Sequence, residues 1–194
     1  MSKLKLYFID NNYIDYLRKF DGKVAYNKVP NRPYVGVVYE YNNFKYFSPL
    51  SSPKKKHLEM KESMIDIFKI KGRELGIVNI NNMIPCSMDV LTEAIPNISN
   101  PKYKHLLENQ IEYINANRKI LLNKVKNFQI RYRKGLLQEN ITSRCCDFLL
   151  LEEKLKNYVK VKWIKKEYIN VLMIFYIKLI KLLIINILYG IITP

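Results

Sequence analysis

The chain has 194 residues, enough for one domain with a sizeable core and too few for two full ones. Its 33 Lys and Arg against 17 Asp and Glu leave a formal net charge of +16, far beyond what solubility requires and of the sign that attracts nucleic acid first and anionic lipid second. The three cysteines, Cys86, Cys145 and Cys146, have only His57 and His105 to assist them and show no metal-ligand spacing, so neither a disulfide framework nor a zinc site is expected, and the chain suits a reducing cytoplasm.

The opening MSKLKLYFID lacks a long apolar run, so a secretory signal is not expected. Leu4, Leu6 and Phe8 alternate as in a strand, and Asn11-Asn12 can cap a helix over 13–20 that closes near Gly22. Residues 23–33, with Pro30 and Pro33, read as a loop. A hairpin follows: Val35, Val37 and Tyr39 alternate with Gly36, Val38 and Glu40, Asn42-Asn43 offers a tight turn, and Phe44-Lys45-Tyr46-Phe47 returns, ending at Pro49. Leu50-Ser51-Ser52-Pro53 then leads into Lys54-Lys55-Lys56-His57, setting two hydroxyls and a block of positive charge at the rim of a sheet. Taken alone, Ser51-Ser52 reads as a turn whose hydroxyls bond to nearby backbone.

Further strands are expected over 64–70 and 76–80, punctuated by Asn81-Asn82 and Pro85. The second half turns helical at Asn100-Pro101, a good N-cap followed by a favoured first residue. Tyr103, Leu107, Ile111, Ile114, Leu121, Val125, Phe128 and Tyr132 form one stripe of a long helix, broken only where Arg118 falls in phase. That stripe is expected to pack on the sheet. Lys104, Lys119, Lys124, Lys126, Arg131, Arg133 and Lys134 lie on the other faces and offer a phosphate-contacting surface. Cys145 and Cys146 read as small buried hydrophobes, and a short helix over 147–156, with Phe148, Leu151 and Leu155 inward, closes the domain.

The hairpin with YFSPLSSPKKKH, the later LGIVNINNMIP, the helix opening NPKYKHLLENQIEYIN and the closing CCDFLLLEEKLKNY together resemble the ToxN/AbiQ family, the protein toxins of type III toxin–antitoxin systems. The match runs over about residues 4–158, in the family's order. The resemblance implies an α+β domain with a small antiparallel β-barrel core like that of the Kid and MazF toxins, wrapped by helices. It implies an endoribonuclease that cuts mRNA, is held inactive by a repeated pseudoknot RNA antitoxin in a closed protein–RNA ring, and serves abortive phage infection or plasmid maintenance. No cofactor and no metal are implied.

The family's motif, a hydroxyl residue followed by Ser-Pro-Lys, stands here as Ser51-Ser52-Pro53-Lys54. The resemblance implies that Ser51 and Ser52 orient the phosphate or relay a proton, and that Lys54 stabilises the phosphorane. Such a reaction uses the substrate's own 2′-hydroxyl as nucleophile, so the protein orients, moves protons and stabilises charge. Arg32 occupies the family's basic position, and its guanidinium suits bidentate phosphate contact. Tyr26 is the nearest equivalent of an aromatic that the family places slightly upstream. Lys55, Lys56, His57 and Lys61 complete the expected RNA contacts, and unpaired bases would stack on Tyr34, Tyr46 and Phe47 if these are exposed.

Residues 159–194 depart from the family. Lys178 and Lys181 sit near the middle of an apolar run; each central Lys costs roughly 2.5–3.5 kcal/mol on insertion while each Leu, Ile, Val or Phe returns roughly 0.3–0.6, a sum near zero. A packed amphipathic helix, a membrane-surface helix, a spanning helix and a tail from an altered reading frame stay open, with packing or an incidental tail favoured. Two other functional classes remain beside the nuclease: a non-catalytic RNA-binding module and a membrane-associated basic protein.

Overall fold

A computed structural model describes residues 3–27, 32–55 and 63–192. The first strand, β1 (Lys5–Ile9), buries Leu6 and Ile9. Helix α1 (Asn11–Arg18) follows, capped by Asp10, whose carboxylate accepts from the Asn12 N–H at 2.8 Å. The cap is therefore one residue earlier than the Asn pair predicts, because an ionised carboxylate is a strong acceptor for an orphan N–H. The α1 face bearing Tyr13, Ile14 and Leu17 is fully buried, and the Tyr13 hydroxyl donates to the Pro85 carbonyl at 2.7 Å.

The hairpin forms as β2 (Tyr34–Tyr41) and β3 (Phe44–Ser51), turning on Asn42 and Asn43, both at positive φ, the backbone region that Asn tolerates in such turns. Strict alternation fails in β2, where the register with β3 shifts between Val35 and Tyr39. Before the shift the successive residues Tyr34, Val35 and Gly36 are all buried, so both faces of the strand are covered there. Strand β3 runs two residues past the expected stop at Pro49. Proline removes only its own N–H, and the next one, on Leu50, is taken by the Pro33 carbonyl at 2.9 Å.

Short strands complete the sheet: β4 (Ile67–Lys69), β5 (Ile77–Asn79), β6 (Ile84–Cys86) and β7 (Leu91–Glu93). All pairings among them are antiparallel. The order is β4-β5-β3-β2-β1-β7, with β6 also pairing with β3. Strand β3 thus has β2 along one edge and, along the other, β6 beside its first half and β5 beside its end. The expected barrel is not found, because the path ends at β4 and β7 without joining them. Closure needs strands long enough to tilt and pair on both sides. Each end strand has three residues.

The expected long helix is two helices, α2 (Pro101–Ala116) and α3 (Arg118–Arg133). Asn100 caps α2 as predicted, accepting from the Tyr103 N–H at 3.0 Å. The break is at Asn117, whose φ of −106° and ψ of 19° leave the helical region and whose side chain donates to the Tyr113 carbonyl at 3.0 Å. Asn competes in this way for helical backbone groups. The apolar stripe survives the break: Leu107, Ile114, Leu121, Val125 and Phe128 are buried. Asn115 fastens α2 to the sheet by donating to the Leu4 carbonyl and accepting from its N–H, at 3.0 and 2.9 Å.

After a short α4 (Glu139–Thr142), residues 144–147 are tied to the core. The Cys146 N–H donates to the Asn81 carbonyl at 2.9 Å, and the Asp147 N–H donates to the Asp21 carboxylate at 2.7 Å. Cys145 and Cys146 are buried and free. Burial pushes their thiols up to about 11 and about 12, so they are packed as small hydrophobes. Helix α5 (Phe148–Ile192) begins as predicted, with Phe148, Leu151 and Leu155 inward, and continues far beyond the expected end.

Contacts divide the chain into two compact units, Met1–Leu155 and Lys156–Pro194. In the second, Tyr168, Ile169, Leu172, Met173, Ile174, Phe175, Tyr176 and Ile177 are all exposed, so the described side chains of this run bury no single apolar face. Among the described residues no helix is long and apolar enough to cross a membrane.

Candidate active site

Strand β3 delivers the hydroxyl and lysine motif to the sheet's rim. Its last two residues pair with β5, Leu50 with Val78 and Ser51 with Ile77, so the backbone is held up to Ser51. Ser51 is half-buried there, and Ser52, Pro53, Lys54 and Lys55 are exposed. The predicted catalytic groups Ser51, Ser52 and Lys54 therefore occupy one short segment leaving a rigid edge.

Arg32 reaches the same point from the other side of the hairpin. Its Nη1 donates to the Leu50 carbonyl at 3.1 Å and its Nε to the Tyr26 carbonyl at 3.4 Å. The guanidinium is thus anchored on the residue before Ser51, with donors left over from its fork of five. Tyr26 enters through this bridge. Tyr26 is 54% exposed and its ring lies against Arg18, 5.3 Å from Cζ to the ring centroid, so a cation holds the ring while much of the residue is open to solvent. Lys56, His57 and Lys61 lie outside the described residues.

Two expectations about contacts are corrected. Tyr34, Tyr46 and Phe47 have no exposed surface and offer no platform for a base. They fill the core, the Tyr34 hydroxyl donating to the Ala25 carbonyl at 3.2 Å and the Tyr46 hydroxyl to Glu152 at 2.6 Å, and burial raises both phenols well above their ordinary range. Arg133, placed by its spacing on the basic face, turns inward to Glu152 at 2.5 Å and stacks on Tyr41 at 4.0 Å. The exposed members of that face are Lys119, Lys126, Arg131 and Lys134. His105 is exposed beside Asn109, 3.1 Å away.

The fold brings in two residues that spacing did not single out, Asn79 and Gly76, and changes the reading of a third, Tyr103. Asn79, on β5, donates from Nδ2 to the Ser51 Oγ and to the Pro49 carbonyl, both at 3.0 Å. Gly76, at a φ of +97°, packs so closely that a Cβ there would lie 2.1 Å from the Ser51 carbonyl oxygen. Tyr103, read as part of the core stripe, is half-buried. Burial raises its phenol and the Arg32 charge lowers it. One signal for Asn79 was available, an amide set between apolar Val78 and Ile80 in a strand pattern.

The rim carries hydroxyls, ammonium groups and a guanidinium, donors of the kind that phosphoryl oxygens accept from. The sequence profile of the toxin ToxN of type III toxin–antitoxin systems matches residues 5–156, and the chain belongs to that family. It is 34% identical over 167 residues to the endoribonuclease ToxN of Pectobacterium atrosepticum, covering 81% of this chain and 95% of the relative. To the endoribonuclease AbiQ of Lactococcus lactis it is 35% identical over 170 residues, covering 81% and 90%. Among solved structures, AbiQ, described as a lactococcal anti-phage endoribonuclease of a type III system, superposes with a TM-score of 0.71 at 29% identity, covering 82% of this chain and 99% of that one. A second, from work on selective toxin inhibition by a non-coding RNA pseudoknot, gives 0.67 at 31% identity, covering 81% and 98%.

Proposed function

We propose that this chain is a metal-independent endoribonuclease toxin that cleaves mRNA and is restrained by a pseudoknot RNA antitoxin. The observation that carries the reading is the convergence at the end of β3, where Ser51 and the exposed Ser52 and Lys54 adjoin an Arg32 guanidinium anchored on Leu50. Family membership and the endoribonuclease activity named for the relatives support it. In the reaction the substrate's 2′-oxygen attacks the adjacent phosphorus, the bond to the 5′-oxygen breaks, one proton leaves the 2′-hydroxyl and one arrives at the 5′-oxygen. Lys54 and Arg32 stabilise the phosphorane's charge, Ser51 and Ser52 hold its oxygens, and Lys55 grips a neighbouring phosphate.

The remaining parts of the reading follow from the family. The nuclease occupies residues 1–158 and 159–194 form an appended segment. The toxin works in the cytoplasm, assembles with its repeated RNA in a closed ring, and acts in abortive phage infection or plasmid maintenance. Ser52→Ala or Lys54→Ala should each lower cleavage of single-stranded RNA by roughly 10²–10³-fold, as removal of one transition-state partner does. Products should end in a 2′,3′-cyclic phosphate and a 5′-hydroxyl, and a chelator should leave the rate unchanged. Full activity in both variants, or an absolute requirement for magnesium, would remove the assignment.

A further inference from the structure

We infer that Asn79 is a positioning residue that makes Ser51 a hydrogen-bond donor toward the reacting phosphate, an inference that rests on the nuclease reading above. The argument begins with the amide. Its two hydrogens have two acceptors, the Pro49 carbonyl and the Ser51 Oγ, each 3.0 Å from Nδ2. Turning the amide over would set its oxygen against the Pro49 carbonyl, two acceptors facing each other, so the donor assignment is the one the surroundings permit. Asn79 itself is held from two sides. Its backbone carbonyl accepts from the Ser48 Oγ at 3.0 Å, and it pairs with Ile67 of β4.

The consequence lies in the hydroxyl. A serine has one hydrogen to give and two lone pairs to receive with. Asn79 occupies a lone pair of Ser51, so the Ser51 hydrogen points away from the amide, on a half-exposed residue next to exposed Ser52 and Lys54. Phosphoryl oxygens only accept, so a hydroxyl preset to donate matches them without reorganising during the reaction. This geometry makes Ser51 a donor to the phosphate and assigns removal of the 2′-proton to another group. Asn79 touches no substrate atom and acts through Ser51.

The test is a double-mutant cycle in the full chain on a labelled single-stranded RNA, read as kcat and KM, with thermal melting beside it. Asn79→Asp is isosteric and would draw the Ser51 hydrogen inward; Asn79→Ala would leave the hydroxyl free to rotate. Each should lower kcat by about 10-fold or more with little change in KM, and each should cost less than about twofold further in a Ser51→Ala background. Ser51→Ala should keep the shape of the pH–rate profile, since a donor that is never deprotonated contributes no limb to it. Equal costs of the Asn79 changes in both backgrounds would overturn the inference, and so would unchanged kcat. If either Asn79 variant melts early, the Ser51→Ala single variant still decides, because a lost pH limb or undiminished kcat there contradicts the donor role. Ser52→Ala and Lys54→Ala serve as controls: activity lost in both but kept in Ser51→Ala sinks the inference and leaves the nuclease reading standing. No cleavage by the unmodified chain sinks both.

Discussion

Gly76 stands against Ser51 with no room for a side chain, since a Cβ on the glycine would meet the Ser51 carbonyl oxygen at 2.1 Å and Pro53 N at 3.2 Å. The contact is backbone to backbone, and the glycine's φ of +97° belongs to a region other residues rarely enter. The peptide at the end of β3, before the candidate site loop, is thus braced by a residue 25 positions downstream in sequence.

Gly76→Ala should therefore damage both fold and activity. Backbone strain alone costs about 1–3 kcal/mol, a drop of roughly 2–12 °C in melting temperature for a chain of this size, and the clash adds to it. Cleavage measured well below the new midpoint should also fall, because the loop must shift. Gly22→Ala, where nothing lies within 4 Å of the added carbon, is the control and should leave activity intact. Unchanged activity and melting in Gly76→Ala would contradict the bracing role.

Arg133 and Glu152 form a largely buried pair, 15% and 11% exposed in their side chains, with Tyr46 donating to the same carboxylate oxygen. Removing one partner of such a pair leaves a buried charge unmet, at a cost of about 3–5 kcal/mol. Arg133→Ala should lower the melting temperature by roughly 6–20 °C while RNA affinity, measured on the folded protein, stays near that of the parent. Loss of affinity at unchanged melting temperature would return Arg133 to the RNA-facing surface that its spacing suggests.

RNA binding should depend steeply on salt. About 6–10 phosphate contacts would lose roughly 10³–10⁵ in affinity between 50 and 200 mM, and Arg32→Ala should reduce the slope by about one contact. Arg32→Lys should not restore cleavage fully, because an ammonium cannot hold the Leu50 carbonyl and a phosphate with the same planar fork. Filter binding across a salt series measures both. A slope near zero would exclude charge as the grip.

Deleting residues 167–194 should leave a folded, cleaving domain. The family match ends at residue 156 and, among the described residues, the last buried core residue is Leu155, whereas the described apolar side chains from Tyr168 onward are exposed. The truncated chain should melt within about 2 °C of the full one, as expected when no packing is lost, and should aggregate less. Unfolding of the truncated protein would show that the tail completes the core.

How far the fold was legible follows the range of the interactions. The Asn42-Asn43 turn, the Asn100 cap on the Tyr103 N–H and the buried stripe from Leu107 to Phe128 rest on contacts between near neighbours or on a single period, and these the sequence determined by itself. So did the placement of Ser51, Ser52 and Lys54 at the end of a strand, since a hairpin carries its register in its own alternation. The tertiary structure alone decided the rest. Whether the sheet closes depends on pairing between β4 and β7, both too short to reveal it. Arg133 turns inward because Glu152 waits on another helix, and the Ser51 Oγ is held by the Asn79 amide, 28 residues away in sequence. Hydrogen bonds and ion pairs at such separations leave no period in the sequence, because only folding brings their partners within reach.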